Sequence, residues 1–193
     1  MIPMTDYYRT SINSFLRDPP NNLARSAYAV EINPWVRRGD IESALLFRGT
    51  IVSAYGYIET RLRELSIRCS HMPEYGSVTA REPRTILECI NYIRLIFSHG
   101  PLVRFQKITE QFLLRFEAMS NIRNQAAHAR MQVLPDWGAT FLDFIRVKGV
   151  THIRQKPFTK DELEGLAWRA AKLSRLCQLL ADHLQRQIEL PEL

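Results

Sequence analysis

Cysteine is scarce in this chain, whose 193 residues include only Cys69, Cys89 and Cys177. The three are odd in number, far apart and set among apolar residues, so a disulfide framework is not expected. A structural zinc site would need more ligands at closer spacing. Cys69 and His71 are close enough to form a nucleophile or metal pair, but a free cysteine is more often a small buried hydrophobe. The sequence therefore predicts reduced, buried thiols.

Long apolar runs are also missing. No run approaches the ~20 residues of a membrane span, and residues 1–6 have neither the basic start nor the apolar stretch of a signal peptide. With 46% hydrophobic and 24% charged residues, the composition is that of an ordinary globular domain with room for one core. We expect a cytoplasmic protein that does not associate with membranes.

Lysine is rare, with 5 residues against 21 arginines, and the formal net charge is +6. Guanidinium groups match phosphate oxygens in a bidentate way and stack on bases. A surplus of arginine therefore favours a nucleic-acid partner over a small neutral substrate. A basic surface without a binding role is the alternative interpretation.

Hydrophobic periodicity predicts a mainly helical chain. The longest predicted helix spans 41–70 and begins after Asp40, a suitable N-cap. The other predicted helices span 7–17, 84–98, 103–131 and 159–187, the last opened by a Thr159–Glu162 capping box. A break of the 103–131 helix near Ser120-Asn121 stays open as an alternative. Residues 72–83 are predicted as a loop, and 23–38 stay ambiguous between helix and loop.

One segment has the strand period instead. Residues 140–147 and 150–155 are rich in Phe, Ile and Val and flank Lys148-Gly149, which predicts a β-hairpin near 139–156. The expected organisation is an N-terminal helix and connecting segment over 1–40, followed by a helical domain over 41–193. We expect the two to form a single compact domain, because a chain of this length has room for one core.

Two charged residues interrupt the apolar face of the 41–70 helix from inside. At about 100° per residue, Arg48 and Glu59 both point toward the core, where an unpaired charge is costly. They are eleven positions apart, roughly 16 Å along a helix, so they cannot pair with each other. Each needs a partner from elsewhere in the fold. Arg115 interrupts the face of the 103–131 helix in the same way.

The most informative stretch is 119–131, in which Arg123 and Asn124 are adjacent and His128 follows one helical turn later. Arg94 and His99 are five positions apart, as are Arg123 and His128. Gly100-Pro101 follows His99, however, so we expect that histidine to cap the end of a helix. Asn124 and His128 share a face opposite the apolar side, whereas Arg123 lies near its edge, about 140° from His128. His128 is therefore expected to be exposed in a monomer.

The sequence Arg123-Asn124-Gln-Ala-Ala-His128 closely resembles the Arg-Asn-x-x-x-His motif of the HEPN superfamily, whose helical domains are in many cases metal-independent endoribonucleases. The similarity covers about 41–187, and the motif is its diagnostic part. The resemblance implies an all-α fold, a HEPN-like antiparallel helical bundle with a small β-hairpin insertion. It also implies a homodimer with the site at the interface, and no cofactor or metal.

The activity implied by the resemblance is RNA cleavage by attack of a 2′-hydroxyl on the adjacent phosphorus, which leaves 2′,3′-cyclic phosphate and 5′-hydroxyl ends. Such a reaction needs a group that moves protons near neutral pH and a fixed positive charge at the phosphoryl oxygens. In this sequence His128 would take the first role and Arg123 the second. Asn124 would orient the phosphate or the attacking hydroxyl.

Three further residues have supporting roles in this interpretation. Glu59 is the candidate partner that holds Arg123 or Arg115 in place; alternatively, its side chain extends to the edge of the bundle. Arg130 and Arg115 are candidate RNA-binding residues. Where some HEPN toxins have a tyrosine that a partner enzyme modifies, this chain has Arg130, which argues against neutralisation by that route, and Ala129 replaces a typical glycine.

Two functions are compatible with these residues. The first is an endoribonuclease acting as a toxin or phage-defence effector, with a possible antitoxin or defence-system partner. The second is a non-catalytic HEPN-like dimeric module that binds RNA, a nucleotide or a protein partner. In the second case His128 would be a surface or interface residue, and Arg123 would cap the helix or pair structurally with Glu59.

Overall fold

The computed structural model describes residues 30–31, 36–76, 78, 83–134, 137–188 and 190–191. In chain order its elements are β1 (Val30–Glu31), α1 (Arg38–Ser70), α2 (Ile86–Ile96), a 3-10 helix (Gly100–Phe105), α3 (Gln106–Ala118), α4 (Ser120–His128), β2 (Arg130–Leu134), β3 (Gly138–Val147), β4 (Val150–Thr159) and α5 (Lys160–Gln187). The fold is mostly helical with a small sheet. None of the described helices has the length and apolar character needed to cross a membrane.

The two longest helices, α1 and α5, pack against each other and form the main body of the core. The predicted capping box opens α5: Thr159 Oγ1 accepts from the Glu162 amide, and the Glu162 carboxylate accepts from the Thr159 amide. The predicted apolar face of α5 is buried at Leu163, Leu166, Ala170, Leu173, Cys177 and Leu184. Periodicity therefore identified both the extent and the buried side of this helix.

The N-terminal prediction is partly revised. Helix α1 begins at Arg38 with Arg37 as its N-cap, and Asp40 lies in the first turn, where a carboxylate is favourable near the positive end of the dipole. Residues Val30–Glu31 pair in parallel with Met131–Gln132, so part of the 1–40 segment joins the sheet of the following unit. The helix predicted over 7–17 lies outside the described residues.

The helical segment predicted over 103–131 is interrupted at Met119, next to the break considered near Ser120-Asn121, and it is no longer helical after His128. The segment consists of the 3-10 helix, α3 and α4, and the chain then enters β2, so that Arg130 and Met131 are strand residues. The buried residues of α3 are Thr109, Phe112, Leu113 and Phe116. That face leaves Arg115 and Ile108 exposed, so Arg115 does not face the core as predicted. Helix α2 is also shorter than predicted, because a Thr85–Glu88 capping box sets its start at Ile86.

The predicted hairpin is present and is longer than expected. Strands β3 and β4 pair antiparallel from Gly138↔Thr159 to Val147↔Val150, and both turn residues have positive φ, 49° at Lys148 and 84° at Gly149, as a two-residue hairpin turn requires. The hairpin is not an isolated insertion, since β2 pairs antiparallel with β3 and the sheet order is β1-β2-β3-β4.

One side of this sheet faces the helices. The side chains on that inner side alternate with outward ones and are buried at Met131, Val133, Ala139, Phe141 and Phe158. Phe141 and Phe158 line a common apolar pocket with Ile51 of α1 and Leu163 of α5. The sheet therefore covers one end of the helical core.

All three cysteines are free and buried, as predicted. Burial raises the pKa of the Cys69 thiol to about 12 and the pKa of the Cys177 thiol to about 12. Since the thiolate is the nucleophile and the metal ligand, a raised pKa favours a packing role for Cys69 over the nucleophile or metal pair with His71.

Candidate functional site

Helix α4 presents the motif residues at the surface. Asn124 and His128 are exposed on the same side of the helix, one turn apart, and Arg123 is half-buried at the edge of the core. This arrangement agrees with the face predicted for each residue from the helical period. The motif therefore combines two solvent-accessible side chains, Asn124 and His128, with a guanidinium, that of Arg123, at the edge of the core.

Arg123 is fixed by two contacts. Its Nη2 lies 2.9 Å from Glu59 Oε1, and its Nη1 donates to Asn124 Oδ1 at 3.0 Å. The side chains of Arg123 and Glu59 are 29% and 21% exposed, so the ion pair is largely shielded from water. Of the two partners considered for Glu59, the structure gives Arg123; Arg115 lies exposed in the last turn of α3.

Arg48 binds the end of the motif helix. Its Nε donates to the Ala126 carbonyl at 2.6 Å and its Nη2 to the Ala129 carbonyl at 3.2 Å. These carbonyls lie at the C-terminal end of α4, where backbone oxygens lack helical partners and the dipole is negative. Burial lowers the pKa of Arg48, but a guanidinium keeps its proton in proteins, so Arg48 supplies a permanent charge at the C-terminal end of α4, the helix that ends at His128.

Tyr55 connects α1 to the end of α3. Its hydroxyl donates to the Phe116 carbonyl at 3.0 Å, and its ring stacks on the Phe116 ring with centroids 5.0 Å apart. Burial raises the pKa of Tyr55, an effect opposed by the nearby Arg123 charge and reinforced by Glu59. The contact anchors the chain four residues before α4 begins at Ser120.

These three α1 side chains lie on one face, because positions 48, 55 and 59 are seven and four residues apart. Their partners lie in two neighbouring elements: Tyr55 contacts Phe116 in α3, whereas Arg48 and Glu59 contact α4. The sequence marked Arg48 and Glu59, since both are charges on an otherwise apolar face. Tyr55 carried no such signal, because a tyrosine in an apolar face is also expected from packing alone.

The second Arg and His pair with the same spacing has a structural role. Arg94 contacts the carboxylates of Glu110 and Glu117 at 3.0 and 2.6 Å, which ties α2 to α3. His99 is exposed, and its Nδ1 lies 2.7 Å from Ser98 Oγ; it therefore pairs with Ser98, a different contact from the helix-capping one that was predicted. A structural role for Arg94 and His99 is predicted from the sequence because Gly100-Pro101 follows the histidine, and these contacts agree with a structural role.

The remaining candidates lie apart from the Glu59–Arg123 pair. Arg130 is exposed at the start of β2, two residues after His128, and Arg115 is exposed on α3. Neither position tests a role in RNA binding. Over the described ranges, no three His, Cys, Asp or Glu side chains are grouped as a metal site.

Comparison of the chain with protein-family models, curated proteins and solved structures finds no match. The resemblance to HEPN domains therefore rests on Arg123, Asn124 and His128 and on the helices around them.

Proposed function

We propose that this protein is a metal-independent endoribonuclease of the HEPN type. The observation that carries the proposal is the Glu59–Arg123 ion pair. A carboxylate from a distant helix orients the arginine of the motif, while Asn124 and His128 on the same helix stay open to solvent. A cation held in place beside an exposed imidazole is what cleavage of a phosphodiester requires.

The reaction transfers a phosphoryl group within the RNA. The 2′-oxygen forms a bond to the adjacent phosphorus while its proton passes to His128 acting as general base, and the bond from phosphorus to the 5′-oxygen breaks. The leaving oxygen takes a proton from a general acid, which in a dimer would be the second copy of His128. The products are a 2′,3′-cyclic phosphate and a 5′-hydroxyl.

Arg123 would stabilise the charge that builds on the non-bridging oxygens. A guanidinium has five N–H donors, and within the described chain Glu59 and Asn124 engage two of its nitrogens, so other N–H groups remain for a phosphate. Because Glu59 fixes the side chain before substrate arrives, little conformational entropy is lost when the phosphate binds. Asn124, which shares the exposed face with His128, would position the phosphate or the 2′-hydroxyl.

A second copy of the chain is part of this proposal. The exposed face formed by Asn124 and His128 would be enclosed by the same face of a partner, which would bring two imidazoles to one phosphate. Such an enzyme would act in the cytoplasm as a toxin or phage-defence effector, restrained by an antitoxin or other defence-system protein.

The second candidate is a non-catalytic dimeric module that binds RNA, a nucleotide or a protein. The observation that favours it is the same ion pair, because an arginine held by Glu59 and Asn124 also serves to attach α4 to α1. The two candidates differ in whether His128 changes the covalent structure of bound RNA.

The deciding experiment uses the purified protein and His128→Ala, each incubated with total tRNA and with a single-stranded RNA in excess chelator. We expect fragments with 2′,3′-cyclic phosphate ends from the parent and none from the variant. Cleavage of DNA, or loss of cleavage in the chelator, would contradict the mechanism. No cleavage of any RNA would favour the binding module.

A further inference from the structure

The side of the sheet that faces away from the helices presents an apolar patch to solvent. Phe144 of β3 is 77% exposed, the largest value for a big apolar side chain among the described residues, and Ile153 of β4 is 63% exposed. The two are directly opposite in the hairpin register, so their Cβ atoms are about 5 Å apart. Single exposed apolar residues are ordinary on protein surfaces, whereas contiguous ones mark binding surfaces where the patch is large.

This patch lies next to the motif helix. Arg130 pairs with Leu142, and since β2 and β3 are antiparallel, His128 and Phe144 each lie two residues from that pair in the same direction along the sheet. Ala129, between His128 and Arg130, has extended backbone, so the strand direction continues up to the end of α4. Phe144 is therefore level with the C-terminal end of the helix that carries His128.

The charge around the patch is positive. Of the four Lys or Arg in β3, β4 and their turn, Arg146 is the one on the outer side, because the register places Arg154 and Lys156 on the inner side with Phe141. The one acidic residue of the hairpin, Asp143, is also on the inner side and pairs there with Arg154 at 3.0 Å. Arg146 lies on the same side of β3 as Phe144, two residues further on, and is exposed. Arg130 is exposed on that side as well. Phe144 thus lies between two cations on one surface.

We infer that this outer sheet face, defined by Arg130, Leu142, Phe144, Arg146 and Ile153, binds a single-stranded segment of RNA beside the scissile phosphate. One base stacks on the Phe144 ring against Ile153, and the cations contact the flanking phosphates. The inference rests on the proposed function for the identity of the ligand, and it adds a binding surface outside the motif: a stacking platform on the sheet for an unpaired base.

The combination of an aromatic ring with arginines on a sheet favours a single strand over a duplex. Every base has a face that can stack on an aromatic ring once it is unpaired, whereas the bases of an A-form duplex are stacked on each other and only edges and backbone are accessible. A second copy of this chain is the other occupant that an apolar face could accept, but two copies would bring the like charges of Arg146 and Arg130 together.

The test measures RNA binding separately from cleavage. In the His128→Ala background, with chelator present, a fluorescently labelled single-stranded RNA and the matching duplex are titrated with protein and followed by anisotropy. Phe144→Ala should weaken single-strand binding roughly 5- to 150-fold, the loss of one stacked base. Phe144→Tyr should restore the affinity, and Phe144→Leu should not, because leucine keeps the apolar bulk without the ring.

Val150→Ala is the matched control. Val150 is 59% exposed on the same hairpin but pairs with Val147 on the opposite side of the sheet. We expect it to leave the affinity within about twofold, since its side chain faces away from the proposed platform.

The inference is overturned by any of three results: equal affinities of Phe144→Ala and Val150→Ala, duplex binding as tight as single-strand binding, or no single-strand binding. A change in sedimentation from dimer to monomer in Phe144→Ala would instead identify the face as a contact between copies. Parent protein that cleaves RNA while Phe144 variants bind normally would reject this inference alone. Parent protein that binds through Phe144 without cleaving would reject the nuclease alone.

Discussion

Glu59 and Arg123 are 64 positions apart in the chain and form an ion pair in which Oε1 and Nη2 are 2.9 Å apart. The pair joins the middle of α1 to the first half of α4. Two other contacts attach α1 to this part of the chain: Tyr55 binds the Phe116 carbonyl in α3, and Arg48 binds the end of α4. Helix α1 is therefore the support that sets the position of the motif helix.

Breaking this pair should affect both stability and activity. Glu59→Gln keeps the shape but leaves a half-buried guanidinium without its counter-charge, so we expect the free energy of unfolding to fall by about 1–2 kcal/mol. Urea denaturation measures this. A double-mutant cycle with Arg123→Met should show a coupling of about 1 kcal/mol.

The matched control for Glu59 is Glu42→Gln on the same helix. Glu42 pairs with Arg38, and these side chains are 55% and 88% exposed, so its loss should change stability by less than about 0.5 kcal/mol. Equal effects at Glu42 and Glu59 would mean that the shielding of the Arg123 pair has no energetic consequence. If Glu59 positions Arg123 for catalysis, its substitution should lower kcat more than it raises KM.

His128→Ala should separate function from folding. The side chain is exposed at the end of α4, so the free energy of unfolding should change by less than about 0.5 kcal/mol, while loss of a general acid or base should lower the cleavage rate by about 10²–10⁴-fold. Thermal melts and RNA cleavage assays on the same preparations measure both. A loss of 1 kcal/mol or more with no catalytic consequence would assign His128 to packing or to a dimer contact.

Arg48→Met tests the support behind the motif. The variant loses donors to the Ala126 and Ala129 carbonyls, and we expect a cost of about 1–3 kcal/mol, because charge-assisted hydrogen bonds to half-buried carbonyls are lost. Hydrogen exchange at the Ala129 amide, which donates to the Gln125 carbonyl, should become faster.

The control for Arg48 is Arg61→Met on the same helix. Arg61 is exposed and contacts Tyr57 and Glu64 within α1, so this variant should leave exchange at Ala129 unchanged. Exchange at Ala129 that is insensitive to Arg48→Met would show that α4 keeps its end without the guanidinium.

The buried thiols predict a loss of stability at alkaline pH. The pKa of Cys69 is about 12 in the folded protein, against about 8.5 in an unfolded chain. Above about pH 8.5 the unfolded state therefore releases a proton that the folded state retains, and this contribution to stability is fully present below that pH and is lost as the pH rises toward 12. The slope approaches about 1.4 kcal/mol per pH unit for each such thiol.

Urea unfolding at pH 8 and pH 10 in a reducing buffer measures this loss for the parent and for Cys69→Ala. We expect the variant to lose less stability than the parent between the two pH values, whatever its stability at pH 8. Cys177→Ala should behave in the same way, since the pKa of Cys177 is also about 12. Identical losses in parent and variants would show that these thiols do not contribute.

The regular elements could be predicted where the sequence signal is local. The buried face and capping box of α5, and the turn at Lys148-Gly149, depend on residues within a few positions of each other, and the structure confirms them. Strand β2 was missed although Arg130, Met131, Gln132 and Val133 alternate between polar and apolar. These four residues directly follow a strong helical pattern, and so short an alternation is a weaker signal than that pattern. Pairing with β3 is what makes the segment a strand.

For the candidate site as well, the sequence predicts the local features, and only the tertiary structure shows the contacts between distant residues. Residue type and helical period alone indicate that Asn124 and His128 share an exposed face, and that Arg48 and Glu59 face the core and need partners, because these properties follow from the geometry of a single helix. They do not indicate which groups those partners are. Packing of α1 against α3 and α4 gives Arg48 the carbonyls of Ala126 and Ala129 as partners. It gives Glu59 the guanidinium of Arg123. A local pattern can show that a buried charge needs a partner, but only the arrangement of distant segments supplies that partner.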